Sequence, residues 1–279
     1  MKSFYKVCIG LLFLAASCTD VIDVDVPEGP ERLVVEASLD WEKGTSGNNQ
    51  TVVLSTSTPF FAEQKFAPVL GASVKVINLD KSTEFVFESQ NNGQYTTSSF
   101  VPIVGDTYRL EVIYNGETYT ATETLSPLVD TIEVTQSKDA GEDEDALEVN
   151  VTFKDPEGLG NYYFLRFKSQ NDLLPELYYI KDEFIDGNTA TFYYEKVEGE
   201  DSVEEFEPGD LVEIALMGIS EQYHDYLRLL VDQYENAGTP FSPTPVPLVG
   251  NCVNMDNPNN IAYGYFRVTE VIQTSYTFQ

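Results

Sequence analysis

The sequence predicts an all-β protein of two tandem β-sandwich domains, with one amphipathic helix inserted in the second. Three observations carry that expectation. Short runs rich in Val, Thr, Tyr and Phe recur from Arg32 almost to the C-terminus, separated by Gly, Asn, Pro and Ser turn signals. Apolar and polar residues alternate within them, as in Ser73-Val74-Lys75-Val76-Ile77 and Tyr108-Arg109-Leu110-Glu111-Val112, so each run has one face to bury. A single segment, Glu221 to Asn236, carries apolar residues at helical spacing.

The first domain, residues 32–126, holds seven expected strands: Leu33 to Leu39, Thr51 to Ser55, Ala72 to Ile77, Glu84 to Glu88, Gln94 to Thr97, Thr107 to Tyr114 and Thr118 to Thr124. Asn115-Gly116 suits a two-residue hairpin, because both central positions of that turn need positive φ. Asn92-Gly93 before Gln94 is a second turn signal. Ser126-Pro127 marks the expected boundary. In the second domain, residues 127–279, the expected strands are Thr131 to Thr135, Leu147 to Phe153, Tyr162 to Phe167, Thr189 to Lys196, Leu211 to Met217 and Tyr263 to Gln273. Strand count and spacing suit sandwiches of the immunoglobulin or transthyretin type. The helix, 221–236, has Ser220 as N-cap, with Gly238 and Pro240 ending it. Its expected packing face is Tyr223, Tyr226, Leu227, Leu230, Val231 and Tyr234, with His224 off the stripe and partly exposed.

Ahead of the sandwiches, residues 1–17 read as a lipoprotein signal peptide. Lys2 and Lys6 precede an apolar stretch from Val7 to Phe13, then Ala15, Ala16, Ser17 and Cys18. The apolar stretch is too short to span a bilayer. Small side chains before the cysteine suit lipoprotein cleavage, although Ala15 stands where leucine is common and Leu14 lies one place back. An ordinary cut near Ala16 would leave Cys18 a free thiol; the lipobox order favours an acylated Cys18. At about 0.8 kcal/mol per buried methylene, two or three acyl chains there would hold the protein firmly to a membrane. Residues 18–31 then form an acidic, Pro- and Gly-punctuated tether.

Charge excludes one class of partner. The chain carries 16 Lys+Arg against 46 Asp+Glu, a formal −30; losing Lys2 and Lys6 leaves 14 against 46, or −32. Such a surface repels nucleic acid. With Cys8 removed and Cys18 acylated, Cys252 stands alone, so no intrachain disulfide and no cysteine zinc site can form. It is expected as a small buried apolar residue. His224 is the only histidine, which excludes a two-histidine metal site. No G-x-S-x-G elbow or phosphate-binding glycine loop occurs. The expectation is therefore no enzyme, no cofactor and no metal.

Weaker signals remain. Asp139, Gly141, Asp143 and Asp145 lack the spacing of an EF-hand loop, so that loop reads as solvated rather than calcium-binding. Tyr162, Tyr163, Tyr178, Tyr179, Phe192, Tyr193 and Tyr194 could offer a stacking platform, but strand alternation and β propensity favour packing. Asp130-Thr131-Ile132 and Asp201-Ser202-Val203 match a short O-glycosylation pattern at Thr131 and Ser202. The long loop Phe241 to Asn260, with Phe241, Asn251, Asn254 and Asn259, is the expected contact surface, because irregular loops on rigid sandwiches carry function.

An ordered set of fragments then resembles a known family. Leu33-Val34-Val35-Glu36 is followed by Val53-Leu54-Ser55, Gly71-Ala72-Ser73-Val74, Gly93-Gln94-Tyr95, Gly105-Asp106-Thr107-Tyr108-Arg109-Leu110 and Asn161-Tyr162-Tyr163. The C-terminal part has Gly238-Thr239-Pro240-Phe241, Pro243-Thr244-Pro245, Gly250-Asn251 and Ala262-Tyr263-Gly264-Tyr265-Phe266. Together these resemble the Bacteroidota outer-membrane lipoproteins grouped as domain of unknown function 4249. Cys252 departs from the pattern, standing where isoleucine is more usual. The resemblance implies an outer-membrane lipoprotein, typically encoded beside a TonB-dependent receptor. It also implies a route to the cell exterior through acids after the lipidated cysteine, a role that Asp20, Asp23 and Asp25 suit. It supplies no catalytic or binding residues. The reading is thus a non-enzymatic, membrane-anchored accessory or ligand-capture component beside such a receptor. The alternatives are a glycan-binding, adhesion or envelope-structural module and, further off, a surface hydrolase.

Overall fold

The last strand of the chain belongs to two sandwiches at once, and the architecture follows from it. A computed structural model describes residues 29–59, 62, 66–141, 143, 145–170, 172–196, 205–235 and 248–279. In chain order the elements are β1 (Leu33–Glu42), β2 (Gln50–Thr56), β3 (Ala67–Pro68), β4 (Ser73–Asn78), β5 (Thr83–Ser89), β6 (Gln94–Thr97), β7 (Thr107–Tyr114) and β8 (Glu117–Thr124). There follow β9 (Glu133–Ser137), β10 (Glu148–Lys154), β11 (Tyr162–Ser169), β12 (Glu176–Lys181), β13 (Thr189–Glu195), β14 (Leu211–Ile219), α1 (Glu221–Glu235), β15 (Val253–Asn254) and β16 (Tyr263–Thr277).

One hydrogen-bonded path runs β12-β11-β14-β16-β1-β2-β6-β5-β4-β7-β8-β15, and β13-β10-β9 form a separate sheet. The long path folds over on itself at β5, whose residues 83–87 pair with β4 while 88–89 pair with β6. This gives the first sandwich, with β16-β1-β2-β6 facing β5-β4-β7-β8. Alternating inward residues fill it: Val35, Leu54 and Tyr95 from one layer, Val74, Phe87, Leu110 and Val112 from the other. Phe100 closes it, with ring centroids 5.1 Å from Phe85 and 5.2 Å from Tyr108. Each such large side chain, fully buried, contributes roughly 1.5–3 kcal/mol.

In the second sandwich β12-β11-β14 and the C-terminal half of β16 face β9-β10-β13 around Val149, Val151, Leu165, Phe167, Ile214 and Leu216. Helix α1 covers the outer face of β11 and β14, where Leu227 meets Phe164, Ala215, Met217 and Val271. Ser220 caps it as expected, its hydroxyl accepting the Tyr223 amide at 3.1 Å.

The 15-residue β16 joins these bodies. Residues 263–271 pair in parallel with β1 from Val34 to Glu42, and residues 270–277 pair antiparallel with β14. Residues 265–271 are all buried, Arg267 and Glu270 included. Arg267 Nη2 reaches Asp40 Oδ2 at 2.9 Å, and its guanidinium lies over the Tyr223 ring. Glu270 accepts the Leu128 amide at 3.2 Å and lies 3.8 Å from Lys43 Nζ, which also donates to Val129 O at 3.0 Å. The connection between sandwiches is thereby clamped against β16. Gly218 lets Pro127 lie directly on β14; a Cβ there would overlap the Pro127 carbonyl.

Two expectations need correction. The division at 126/127 does not separate the cores, because Cys252, Ala262, Phe266 and Val268 return to the first. A parallel partner for β1 can only come from a distant crossover, and here the C-terminus supplies it. The helix also packs on a rotated face: His224, Leu227 and Val231 are buried, whereas Leu230 is 41% and Tyr234 64% exposed. His224 lies between the rings of Tyr162, at 5.2 Å, and Tyr179, at 5.9 Å. Short strands β3, β12 and β15 were not expected. The Asn115-Gly116 hairpin is present, with φ of 52° and 81° between paired Tyr114 and Glu117.

Gly264 and Gly250 explain two of the recurrent fragments. Gly264 has φ +85°, and a Cβ there would overlap the Val35 carbonyl; a Cβ on Gly250 would overlap the Gly264 carbonyl. Gly264→Ala is expected to cost more than about 2 kcal/mol, from left-handed strain and forced displacement of β1. Thermal unfolding followed by circular dichroism should show a midpoint lower by about 5 °C or more.

Candidate functional site

In the loop expected to make contacts, two of the three described candidate residues turn inward. Phe241, like Cys18 and Ser202, lies outside the described residues. Asn251 is buried and braces β16: its Nδ2 donates to Phe266 O at 2.7 Å and its Oδ1 accepts the Phe266 amide at 2.9 Å. Asn254 is also buried; its Oδ1 accepts the amides of Asp256 and Asn257 at 3.0 and 2.9 Å, fixing the turn. Side-chain amides that read as ligand contacts are thus spent on backbone groups. Asn259 alone of the three is exposed, and its carbonyl accepts Arg32 Nη1 at 2.9 Å.

Against this loop lies a groove of about 420 Å³, lined by Arg32, Tyr114, Asn115, Glu117, Tyr119 and Asn260, among others. Glu117 organises it. Its Oε2 accepts Asn260 Nδ2 at 2.6 Å, Asn254 Nδ2 at 3.0 Å and the Tyr119 hydroxyl at 3.0 Å. The Asn260 amide, then the Tyr119 hydroxyl and the Asn254 amide, hold the Glu117 carboxyl below its ordinary value. Burial, then the same carboxylate, pushes the Tyr119 hydroxyl up to about 12. Arg32 Nη1 donates to Asn260 Oδ1 at 2.8 Å, so the two charges brace the loop from opposite sides. The arrangement can hold a small polar group.

Sequence reading missed a second constellation at one end of the second sandwich. Asp155 follows β10; Asp182 opens a 3-10 turn, Asp182–Phe184, and Asp186 follows it. One carboxylate oxygen from each lies within 4.8 Å of the other two. Asp155 and Asp182 are buried and Asp186 is half-buried. Asp155 Oδ1 accepts the Tyr163 hydroxyl at 2.5 Å and its Oδ2 the Gly187 amide at 3.2 Å. Asp182 Oδ2 accepts the amides of Gly160 and Asn161, both at 2.8 Å, and Asp186 Oδ1 accepts Gly158 N at 2.7 Å. Burial, and then Asp155, drive the Tyr163 hydroxyl well above the usual tyrosine range, which keeps it a donor. The available signals were Asp155-Pro156-Glu157-Gly158 at a strand end and two acids four apart on a helical turn.

The other expected features are accounted for by packing. In the Asp139–Asp145 loop, the Asp139 and Ala140 amides donate to buried Glu148 at 3.0 and 2.7 Å. Tyr163 and Tyr194 are buried, and Tyr178 and Phe192 pack against the second core, so these rings form no stacking platform. Thr131 is exposed and precedes β9 rather than starting it. Cys252 is buried, and burial pushes its thiol up to about 12. Native Cys252 should therefore resist alkylation at pH 8 and react at an ordinary rate once denatured, as mass spectrometry would show.

Glu117 makes a pH-dependent prediction. A depressed folded-state value stabilises the protein above the ordinary 4.5, and this is lost as pH falls through the folded value. The melting difference between native protein and Glu117→Gln should be full at pH 6 and shrink below about pH 4.

Comparison with known proteins adds the family. A search of curated protein sequences finds no match. Among solved structures, the FN1-FN3 domains of chicken CNTN1 share 11% identity at a TM-score of 0.25, covering 67% of this chain and 63% of that one. This chain thus spans less than two thirds of that structure's length. A two-fibronectin-type-III-domain segment of chicken tenascin shares 11% identity at 0.21, covering 61% and 84%. A cytokine receptor complex shares 9% identity at 0.27, covering 88% and 95%. Superpositions this loose support no statement about the chain, and its β-sandwich fold stands on strand pairing and the two cores. A family model, by contrast, matches residues 19–275, nearly the whole sequence, and the chain belongs to that family, the domain of unknown function DUF4249.

Proposed function

We propose that the protein is an outer-membrane lipoprotein, anchored through acylated Cys18 and facing the cell exterior. There it serves without catalysis as an accessory or capture component beside a TonB-dependent receptor. One observation carries the anchor, the order Lys2, Lys6, apolar Val7 to Phe13, Ala15-Ala16-Ser17, Cys18; the exterior face, through Asp20, Asp23 and Asp25, and the receptor rest on the resemblance to the outer-membrane lipoproteins. No helix among the described residues is long and apolar enough to cross a membrane, which leaves the lipid as the attachment within this reading. The formal charge after loss of Lys2 and Lys6, 14 Lys+Arg against 46 Asp+Glu or −32, keeps the body soluble beside an anionic surface. The polar groove at Arg32 and Glu117 and the exposed loop at Asn259 offer contact chemistry.

Metabolic labelling with a palmitate analogue tests the anchor. The native chain should be labelled and sediment with membranes, whereas Cys18→Ala should lose the label and leave the membrane fraction. Affinity purification from native membranes in mild detergent tests the partner. A TonB-dependent receptor recovered near one to one supports the reading, and recovery of the lipoprotein alone overturns the stable complex.

A further inference from the structure

We propose that Asp155, Asp182 and Asp186 form a calcium site that ties the two layers of the second sandwich together. The proposal is independent of how the protein is anchored. Three carboxylates converge here, with an oxygen from each within 4.8 Å of the others. Among the described residues, no lysine or arginine forms an ion pair with any of them. Three mutually repelling charges at a largely buried site are costly without a counter-charge. A second observation points to a ligand. Asp182 is wholly buried, and its Oδ1 accepts no hydrogen bond while Oδ2 takes two. It is the one bare buried acceptor of this cluster, and a cation among the three carboxyl groups would satisfy it.

The chemistry selects the ion. All donors are hard oxygens, with no histidine or cysteine in the cluster, which disfavours zinc and softer metals. The three oxygens lie within 4.8 Å of one another, close enough to share a Ca²⁺ whose ligands stand at about 2.3–2.6 Å. Mg²⁺ demands near-ideal octahedral geometry at about 2.0–2.1 Å and gives up its waters reluctantly, which a largely buried set of carboxylates disfavours. The carboxylates are already oriented by the backbone amides of Gly158, Gly160, Asn161 and Gly187, so little reorganisation is required. Half-buried Asp186 gives the ion an entry side. Asp155 comes from the three-stranded sheet and Asp182 from the end of β12 in the other layer, so the ion would pin the layers at this end. It would also fix two loops whose tips carry Leu159, 73% exposed, and Phe184, 90% exposed.

The test uses the full chain purified in detergent and stripped with a chelator. Tb³⁺, which occupies calcium sites, is added and tyrosine is excited, since the Tyr163 hydroxyl touches Asp155. We expect saturable terbium luminescence at one ion per chain, displaced by Ca²⁺ with Kd on the order of 10⁻⁴–10⁻³ M, the range of extracellular modules. Ca²⁺ at about 100 times Kd should raise the melting temperature by about 5–10 °C. Asp186→Asn, at a half-buried position that should fold, should weaken binding at least tenfold, and Asp143→Asn should leave it unchanged. The absence of a Ca²⁺-dependent melting shift at about 10 mM, beyond the weak end of that range, would overturn the site. Equal displacement by Mg²⁺, or native affinity in Asp186→Asn, would overturn it too, marking diffuse attraction to an acidic surface.

Discussion

Everything in this protein depends on the double pairing of β16. A strand that hydrogen-bonds to β1 along its first half and to β14 along its second cannot serve one sandwich without holding the other. Its buried middle explains the charges found there. Arg267 and Glu270 would each be costly alone, but each has a partner: Asp40 for the first, Lys43 and the Leu128 amide for the second. Such pairs add little net stability over apolar packing, yet they penalise any other register of β16. A shift by one residue would move Arg267 away from Asp40 and expose the residues that complete the first core. The glycines follow from the same constraint, since Gly250 and Gly264 exist to let three backbones approach one another.

What the sequence revealed, and what it hid, divides along physical lines. Local signals were readable: alternation in β4 and β7, the Asn115-Gly116 hairpin, the Ser220 cap, and the burial of Cys252. The first three are decided by residues a few positions apart, and the burial of Cys252 was read from its lack of any partner cysteine. The face of α1 was misjudged because Leu230 and Tyr234 compete with His224 for the side of the helix that packs beside Leu227 and Val231. Tyr162 and Tyr179 on neighbouring strands settle that competition, and no helical window contains them. The sharing of β16 leaves no local mark at all. Its trace is the pair of fragments Gly250-Asn251 and Ala262-Tyr263-Gly264-Tyr265-Phe266, which read as motifs without a reason.

The candidate sites teach the same lesson. Asn251 and Asn254 look like ligand-binding amides in a loop, yet a loop that closes over a strand end must satisfy its own backbone first. The acids behave oppositely. In a chain with 46 of them no single aspartate stands out, and Asp155 gains meaning only when two connections bring Asp182 and Asp186 beside it. The three aspartates thus acquire a joint geometry only on folding.

The central claim, that β16 makes two cores one cooperative body, is tested most directly by native-state hydrogen exchange across β1, β10 and β14. The account predicts that amides of Val35, Val151 and Leu216 exchange with the same limiting free energy, equal to that of global unfolding. A second sandwich that opens at markedly lower free energy, while β1 stays protected, would contradict it.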